Sequence, residues 1–121
     1  MTKTEMLEKI LRDINNIGGV EAVALGSRDG LLICSTMAQN LHAQAFVAML
    51  ATMLGAAEVS SAKLGKSIPD RIIVDSKNGK IIVKEAGKKA LLGVMTRSDV
   101  PLGMVLIGMI KASESIVQIM G

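Results

Sequence analysis

The sequence predicts an α/β fold in which one antiparallel sheet of five strands lies between three helices, in the order α-β-β-α-β-β-β-α. Three segments carry apolar residues at helical spacing, and five short apolar runs between them are separated by turns rich in Gly, Asn and Asp. Turns this short join neighbouring antiparallel strands. Half of the 121 residues are hydrophobic and 21% are charged, which favours a single folded domain over residues 1–121.

The first helix is predicted from about Thr4 to Ile17. Thr2 and Glu5 have the spacing of a capping box, which satisfies free amide donors at a helix start. Gly18-Gly19 ends the helix, because the residue after a helix commonly adopts a left-handed conformation. One face of this helix is apolar and consists of Met6, Leu7, Ile10, Leu11, Ile14 and Ile17.

A hairpin follows, with strands predicted at about Val20–Gly26 and Leu31–Ser35. The connecting residues Ser27-Arg28-Asp29-Gly30 have the composition of a tight turn. The next segment, Thr36–Asn40, is polar and is predicted to be irregular.

The second helix is predicted from Leu41 to Leu64, and the chain carries no Asp, Glu, Lys or Arg from Gly30 to Ala57. A membrane span is not expected, because the apolar part of this helix is short and follows a polar loop. Its large residues are expected to pack on the sheet, namely Phe46, Met49, Leu50, Met53, Leu54, Ala57 and Leu64. The opposite side, called the small-residue face below, consists of Ala45, Ala48, Ala51, Thr52, Gly55, Ala56, Val59 and Ala62.

Two interpretations of the small-residue face are open. An exposed apolar patch usually marks an interaction site, so the face is predicted to meet a second copy of the helix or a partner protein. The alternative is an alanine-rich face that reflects helix propensity alone. We favour the interface, because a solvated helix face normally carries more Lys and Glu.

Three strands are predicted next, at Arg71–Asp75, Lys80–Ala86 and Ala90–Thr96. Asn78-Gly79 is the strongest short hairpin signal and predicts the turn between the first two. The last strand is apolar on both faces, so it is expected at the centre of the sheet with both sides covered.

The third helix is predicted from about Pro101 to Met120, with Asp99 as its N-cap. Its solvated side is expected to include Lys111, Ser113 and Glu114. Its buried stripe is expected to contain Leu102, Val105, Leu106, Met109, Ile110, Ile116 and Val117.

The net charge of +3 is unevenly distributed, because eight basic and three acidic residues between Lys63 and Lys89 make that segment +5. Such a segment suits nucleic acid, an acidic membrane surface or an acidic protein. We favour a solvated hairpin whose lysines oppose aggregation of a sheet edge. The chain has one Phe and no Trp or Tyr to stack on bases, so nucleic-acid binding is not expected.

Catalytic and metal-binding arrangements are not found. Cys34 lies in an apolar strand and His42 near a helix start, with no base beside a nucleophile, and these two side chains alone build no zinc site. Gly65-Lys66-Ser67 resembles the end of a phosphate-binding loop but follows a helix and precedes a strand, the reverse of the required order. We expect no enzyme, cofactor or metal, and the scarcity of orienting polar groups disfavours a small-ligand sensor.

Several features coincide along the chain. Ile17–Val23 leads into Ser27–Ile33, an alanine- and leucine-rich helix and three strands follow, and Leu102–Leu106 opens the last helix. In these features the chain resembles the Roadblock family, which includes dynein light chains of the Roadblock class, Ragulator subunits and prokaryotic gliding-motility and polarity regulators. The resemblance covers almost the whole chain and implies an architecture similar to profilin and longin modules, so fold alone does not determine function.

The resemblance implies a homodimer whose sheets join edge to edge through Arg71, Ile72, Ile73, Val74 and Asp75. It places the second helix of each copy on one side of the joined sheet and helices 1 and 3 on the other. Many prokaryotic relatives bind a small Ras-like GTPase on the paired second helices and promote GTP hydrolysis without supplying a catalytic arginine.

Taken with the small-residue face, the resemblance predicts a homodimeric, non-catalytic regulator of a small Ras-like GTPase. The alternative is a nucleotide-independent scaffold or light-chain-like dimerisation module. Met1 is followed by charged residues and not by an apolar signal sequence, so we expect a cytoplasmic protein.

Overall fold

The helices and strands follow the predicted order. The computed structural model describes residues 1–121, with the elements α1 (Lys3–Asn15), β1 (Val20–Ser27), β2 (Leu32–Ser35), α2 (Asn40–Lys63), β3 (Ile72–Ser76), β4 (Gly79–Ala86), β5 (Ala90–Arg97) and α3 (Leu102–Met120). All five strands form one antiparallel sheet in the order β2-β1-β5-β4-β3. The predicted fold class is confirmed.

The sheet has a separate core on each face. The larger core lies between the sheet and helices α1 and α3 and includes Leu11, Leu25, Ile82, Leu92, Met109 and Ile116. The smaller core lies beneath α2 and consists of Ala24, Phe46, Val47, Leu50, Leu54, Val83 and Leu91. Strand β5 is central and almost wholly buried, as expected, because side chains on both of its faces enter a core.

Two glycines in the central strands make room for α2. A Cβ at Gly93 would lie 2.1 Å from Leu50 Cδ1, and a Cβ at Gly26 would lie 2.2 Å from Val47 Cγ1. Neither position has space for a side chain, so the backbones of β1 and β5 form a shallow trough into which α2 packs. We call Gly26 and Gly93 the glycine trough.

The ends of α1 and α3 differ in part from the prediction. The capping box is confirmed, since Thr2 Oγ1 accepts from Glu5 N at 3.1 Å and Glu5 Oε1 accepts from Thr2 N at 3.2 Å. Helix α1 ends two residues earlier than predicted, and the left-handed residue is Gly19. The prediction of Asp99 as N-cap of α3 is wrong, because its carboxylate instead accepts from Arg97 Nε at 3.1 Å, and Pro101 caps the helix without a side-chain bond.

The predicted Asn78-Gly79 turn is displaced by one residue. Lys77 and Asn78 form the turn, and Gly79 is the first residue of β4, paired with Ser76. Gly79 does not have a positive φ. A Cβ there would lie 2.0 Å from the carbonyl oxygen of Thr96, so glycine is required for close approach of β4 to β5.

The buried stripe of α3 is rotated relative to the prediction. Ile110 and Val117, expected in the core, are exposed, whereas Ala112 and Ser113 are buried. Ser113 was expected on the solvated side, yet it is 7% exposed and its hydroxyl has no hydrogen-bond partner. Ala112 lies beside Ile10 and Ile14 of α1, and Ser113 lies beside Lys84 and Glu85 of β4.

Helices α2 and α3 are both long and apolar enough, by length and composition, to cross a membrane. The expectation that α2 is too short for this was therefore wrong. Core helices of folded domains pass the same test, and both helices pack a stripe of residues on the sheet. Within the apolar 18-residue stretch of each helix, only 22% of α2 and 28% of α3 is buried, so each helix presents apolar surface outward.

Candidate partner surfaces on helix α2 and strand β3

The small-residue face of α2 points away from the sheet. Six of its eight predicted residues are exposed, while Ala51 and Gly55 are partly buried. Met49, predicted to pack on the sheet, is 58% exposed and joins this face. Leu64, also predicted to pack on the sheet, lies just beyond the helix and is 76% exposed.

The glycine trough explains why Met49 was misplaced. Val47 and Leu50 enter the trough, so the buried stripe of α2 consists of Ala43, Phe46, Val47, Leu50 and Leu54. Helical spacing from this stripe turns Met49 toward solvent. Periodicity among apolar residues did not show this, because nearly every residue of α2 is apolar.

Polar groups on the small-residue face are satisfied within the helix. The hydroxyl of Thr52 donates to the carbonyl oxygen of Ala48 at 3.0 Å, which leaves its methyl group to the surface. Ala48, Met49, Thr52 and Met53 line a shallow apolar groove. The centre of the small-residue face is therefore an uncharged apolar surface, which a partner can contact by shape complementarity.

A side-chain amide holds the N-terminal half of α2 to the first hairpin. Gln44 Oε1 accepts from Leu32 N at 2.9 Å, and Gln44 Nε2 donates to Gly30 O at 2.7 Å. Gly30 has a φ of +89° and lies against α2, since a Cβ there would be 3.5 Å from Ala48 Cα. The positive φ is the reason that glycine suits this position, because a Cβ at 3.5 Å would make only an ordinary van der Waals contact.

An ion-pair cluster holds the C-terminal half of α2. Arg28, in the turn between β1 and β2, donates to Glu58 of α2 and, at 3.1 Å, to Glu85 of β4. All three side chains are largely shielded from solvent, which strengthens charge-assisted hydrogen bonds. The sequence indicated only a turn at Arg28, because its partners lie 30 and 57 residues further along the chain.

Strand β3 has an open edge, because it is the last strand in the sheet order. Arg71 lies just before β3, and the other residues predicted at the dimer interface lie within it. Ile73 and Val74 are each 39% exposed, and Ile72 packs against the smaller core. An unpaired edge with exposed apolar side chains is a template for pairing with another chain.

The basic residues of segment 63–89 are spread along β4 and its two turns, with Lys80 and Lys84 in the strand itself. Lys77 lies in the turn at one end of β4, and Lys88 and Lys89 lie in the turn at the other end. An eight-residue strand separates the two groups by about 25 Å. Charge this dispersed supports the solvated-hairpin interpretation.

The chain's only thiol is buried in β2. Burial, together with the nearby charge of Glu8, raises the pKa of Cys34 to about 11, so the thiol stays protonated at neutral pH. A protonated thiol is a poor nucleophile. His42 is exposed in the first turn of α2, and no group of three His, Cys, Asp or Glu side chains is placed to hold a metal ion.

Solved structures share this fold. The gliding protein MglB from Thermus thermophilus matches with a TM-score of 0.86 at 20% identity, covering 98% of this chain and 91% of that one. MglB from Myxococcus xanthus matches with a TM-score of 0.87 at 18% identity, over 97% of this chain and 89% of that one. A Roadblock/LC7 domain from Streptomyces avermitilis matches with a TM-score of 0.87 at 14% identity, over 91% and 93% of the two chains.

Sequence comparisons extend this likeness. The uncharacterized proteins MJ0714 and MJ1340 of Methanocaldococcus jannaschii are 32% and 30% identical to this chain over 111 residues. That stretch covers 92% of this chain and 93% and 96% of theirs. The family model of the Roadblock/LC7 domain matches residues 6–96. The chain therefore belongs to the Roadblock/LC7 domain family.

Proposed function

We propose that this chain is a cytoplasmic, homodimeric and non-catalytic platform that binds and regulates a small Ras-like GTPase through its paired α2 helices. The observation that carries the proposal is the exposed, uncharged small-residue face of α2. Membership of the Roadblock/LC7 family, in which prokaryotic relatives regulate such GTPases, supplies the class of partner.

The face is suited to close packing against another protein. Its alanines hold no long side chains between the helix backbone and a partner, and Met49 and Val59 provide larger apolar contacts. Methionine adapts its shape to a partner surface. Because the face has no charge at its centre, a partner buries it without leaving an unpaired ion.

Helix α2 is also rigidly held, which suits a binding platform. The glycine trough, Gln44 and the Arg28–Glu58–Glu85 cluster fix its position at several points along its length. Rigid elements present binding groups with better geometry than loops. We infer that the chain acts by positioning and ordering the switch region of its partner and not by supplying a reacting group.

Pairing of two β3 edges would produce a composite platform. Antiparallel strands related by a two-fold axis perpendicular to the sheet keep the same face of both sheets on one side. Joining two copies through β3 therefore places both α2 helices on one side of the joined sheet. The partner would then meet two small-residue faces at once.

The test is a pull-down with the tagged full-length chain from a lysate of its source organism, once with a non-hydrolysable GTP analogue and once with GDP. Mass spectrometry identifies the retained proteins. We expect a Ras-like GTPase retained only with the GTP analogue. Ala48→Arg and Ala56→Arg each place a long cation on the exposed face and should abolish retention.

The matched control is Ser115→Arg, which adds the same side chain to an exposed position of α3 on the other side of the sheet. It should retain the GTPase as the unmodified chain does. Equal retention with both nucleotides would support the nucleotide-independent scaffold instead. Undiminished binding by both α2 variants would show that the partner does not dock on this face.

A further inference from the structure

The open edge of β3 carries a self-complementary charge pattern. Arg71 and Asp75 lie two residues on either side of Ile73, and both are exposed. When two copies of an antiparallel strand pair about a two-fold axis through Ile73, Arg71 of one copy lies opposite Asp75 of the second. The symmetry creates this pair twice.

The backbone of β3 is arranged for such pairing. Ser76 and Gly79 pair across a two-residue turn, so they exchange hydrogen bonds with each other. Hydrogen-bonded pairs alternate along an antiparallel ladder, which makes Ile72 and Val74 the other residues bonded to β4. Ile73 therefore directs its N–H and C=O to the open edge.

Both charged groups are available for a second copy. Arg71 forms no ion pair within its own chain, whose ion pairs involve other residues. Asp75 Oδ1 accepts from Lys80 Nζ at 2.8 Å, and the side chain is still 69% exposed. Lys80 lies directly opposite Asp75 in β4 and orients the carboxylate, while Oδ2 is free to accept from arginine.

A register centred on Val74 is less favourable. The registers that keep both α2 helices on one side of the sheet are those in which a single residue lies on the two-fold axis. Moving that axis by one residue toward the β3–β4 turn centres the pairing on Val74. It would place Arg71 opposite Lys77, so two cations would face each other twice. It would also place Ile72 opposite Ser76, which pairs an apolar side chain with a polar one.

A register centred on Ile72 is unfavourable for other reasons. Asp75 would lie opposite Pro69, which has no N–H to donate. Val74 would lie opposite the carboxylate of Asp70. Only the register centred on Ile73 pairs Ile72 with Val74, an apolar contact on the side of the sheet that carries α2.

We propose that β3 pairs with a second copy of this chain in the register centred on Ile73, and that Arg71 and Asp75 select that partner. The inference rests on the proposed homodimer and adds the residues that specify it. A Roadblock chain without a matching acid and base at these positions would lose both ion pairs. Opposite charges across a strand pair stabilise it, and like charges destabilise it.

The test compares dimer dissociation constants of the full chain by analytical ultracentrifugation. Arg71→Asp and Asp75→Arg each turn two attractive contacts into two repulsive ones, so each variant alone should dimerise about tenfold more weakly or worse. An equimolar mixture of the two should dimerise as tightly as the unmodified chain. The double variant, Arg71→Asp with Asp75→Arg, should pair with itself but not exchange with the unmodified chain.

The matched control for Arg71→Asp is Lys77→Asp, which makes the same change of net charge in the turn just after β3 and should leave the dimer dissociation constant unchanged. Tighter dimerisation of the Arg71→Asp variant would indicate the register centred on Val74. An unchanged dimer dissociation constant for that variant would indicate the register centred on Ile72. Either result would overturn the proposal. Circular dichroism identifies a variant that fails to fold alone, and recovery in the mixture still tests the pairing. An unmodified chain that stays monomeric would overturn the homodimer itself.

Discussion

Gly93→Ala tests whether the glycine trough sets the position of α2. The added Cβ would lie 2.1 Å from Leu50 Cδ1, 3.1 Å from Cδ2 and 3.2 Å from Cγ. Ordinary carbon contacts lie at about 3.5–4.0 Å, so Leu50 must move by more than about 1 Å. Leu50 is fully buried and surrounded by packed side chains of the smaller core, and the movement therefore shifts α2.

The expected loss of stability follows from two opposing effects. Overpacking a core costs about 1–3 kcal/mol. Replacing glycine by alanine restricts the unfolded chain and returns about 0.4–1 kcal/mol. We expect the free energy of unfolding to fall by about 1–2 kcal/mol. Urea unfolding at one fixed protein concentration measures it, since the proposed dimerisation would make the apparent stability depend on concentration.

A double-mutant cycle separates the contact from other effects of the substitution. Leu50→Ala removes the clashing atoms and by itself costs about 2–5 kcal/mol. The double variant should then be more stable than the sum of the single losses predicts, by about 1 kcal/mol or more. Gly55→Ala, where an added Cβ meets nothing within 4 Å, is the control and should stabilise the helix. Additive losses, or no loss for Gly93→Ala, would refute the trough.

Two further predictions concern buried polar side chains. Ser113→Ala removes a buried hydroxyl that has no hydrogen-bond partner, so it should raise the free energy of unfolding by about 1 kcal/mol. Urea unfolding measures this, with Ser115→Ala at an exposed position as the control. A destabilised Ser113→Ala variant would show that the hydroxyl is hydrogen-bonded in the folded chain. Cys34 should resist alkylation in the native chain at pH 8 and react once the chain is unfolded. Because folding raises the pKa of this thiol from its ordinary 9.0 to about 11, the unfolded state loses its proton first and stability should fall as the pH rises from about 9 to 11. Rapid alkylation of Cys34 in the native chain would contradict this prediction. So would a stability that falls no more steeply with pH than that of the Cys34→Ala variant.

The helices and strands were predictable because their signals are local. The capping box at Thr2 and the apolar runs of the strands depend on residues a few positions apart, and the open edge at Ile72–Ser76 follows from the resemblance. The trough and the polar contacts that hold α2 depend on pairs distant in sequence, such as Arg28 with Glu85. A helix as uniformly apolar as α2 has no polar side to fix its rotation, so Met49 was placed on the wrong face.

The two candidate surfaces are thermodynamically linked if the proposed function holds. In the proposed dimer the β3 edge joins the copies, and the α2 faces meet the partner on one side of the joined sheet. A partner that contacts both α2 helices binds the dimer more tightly than the monomer, and by reciprocity it must strengthen the dimer by the same factor. The strand edge therefore contributes to partner affinity without touching the partner. A charge reversal at Arg71 should weaken both equilibria, whereas Ala56→Arg on α2 should weaken partner binding most directly.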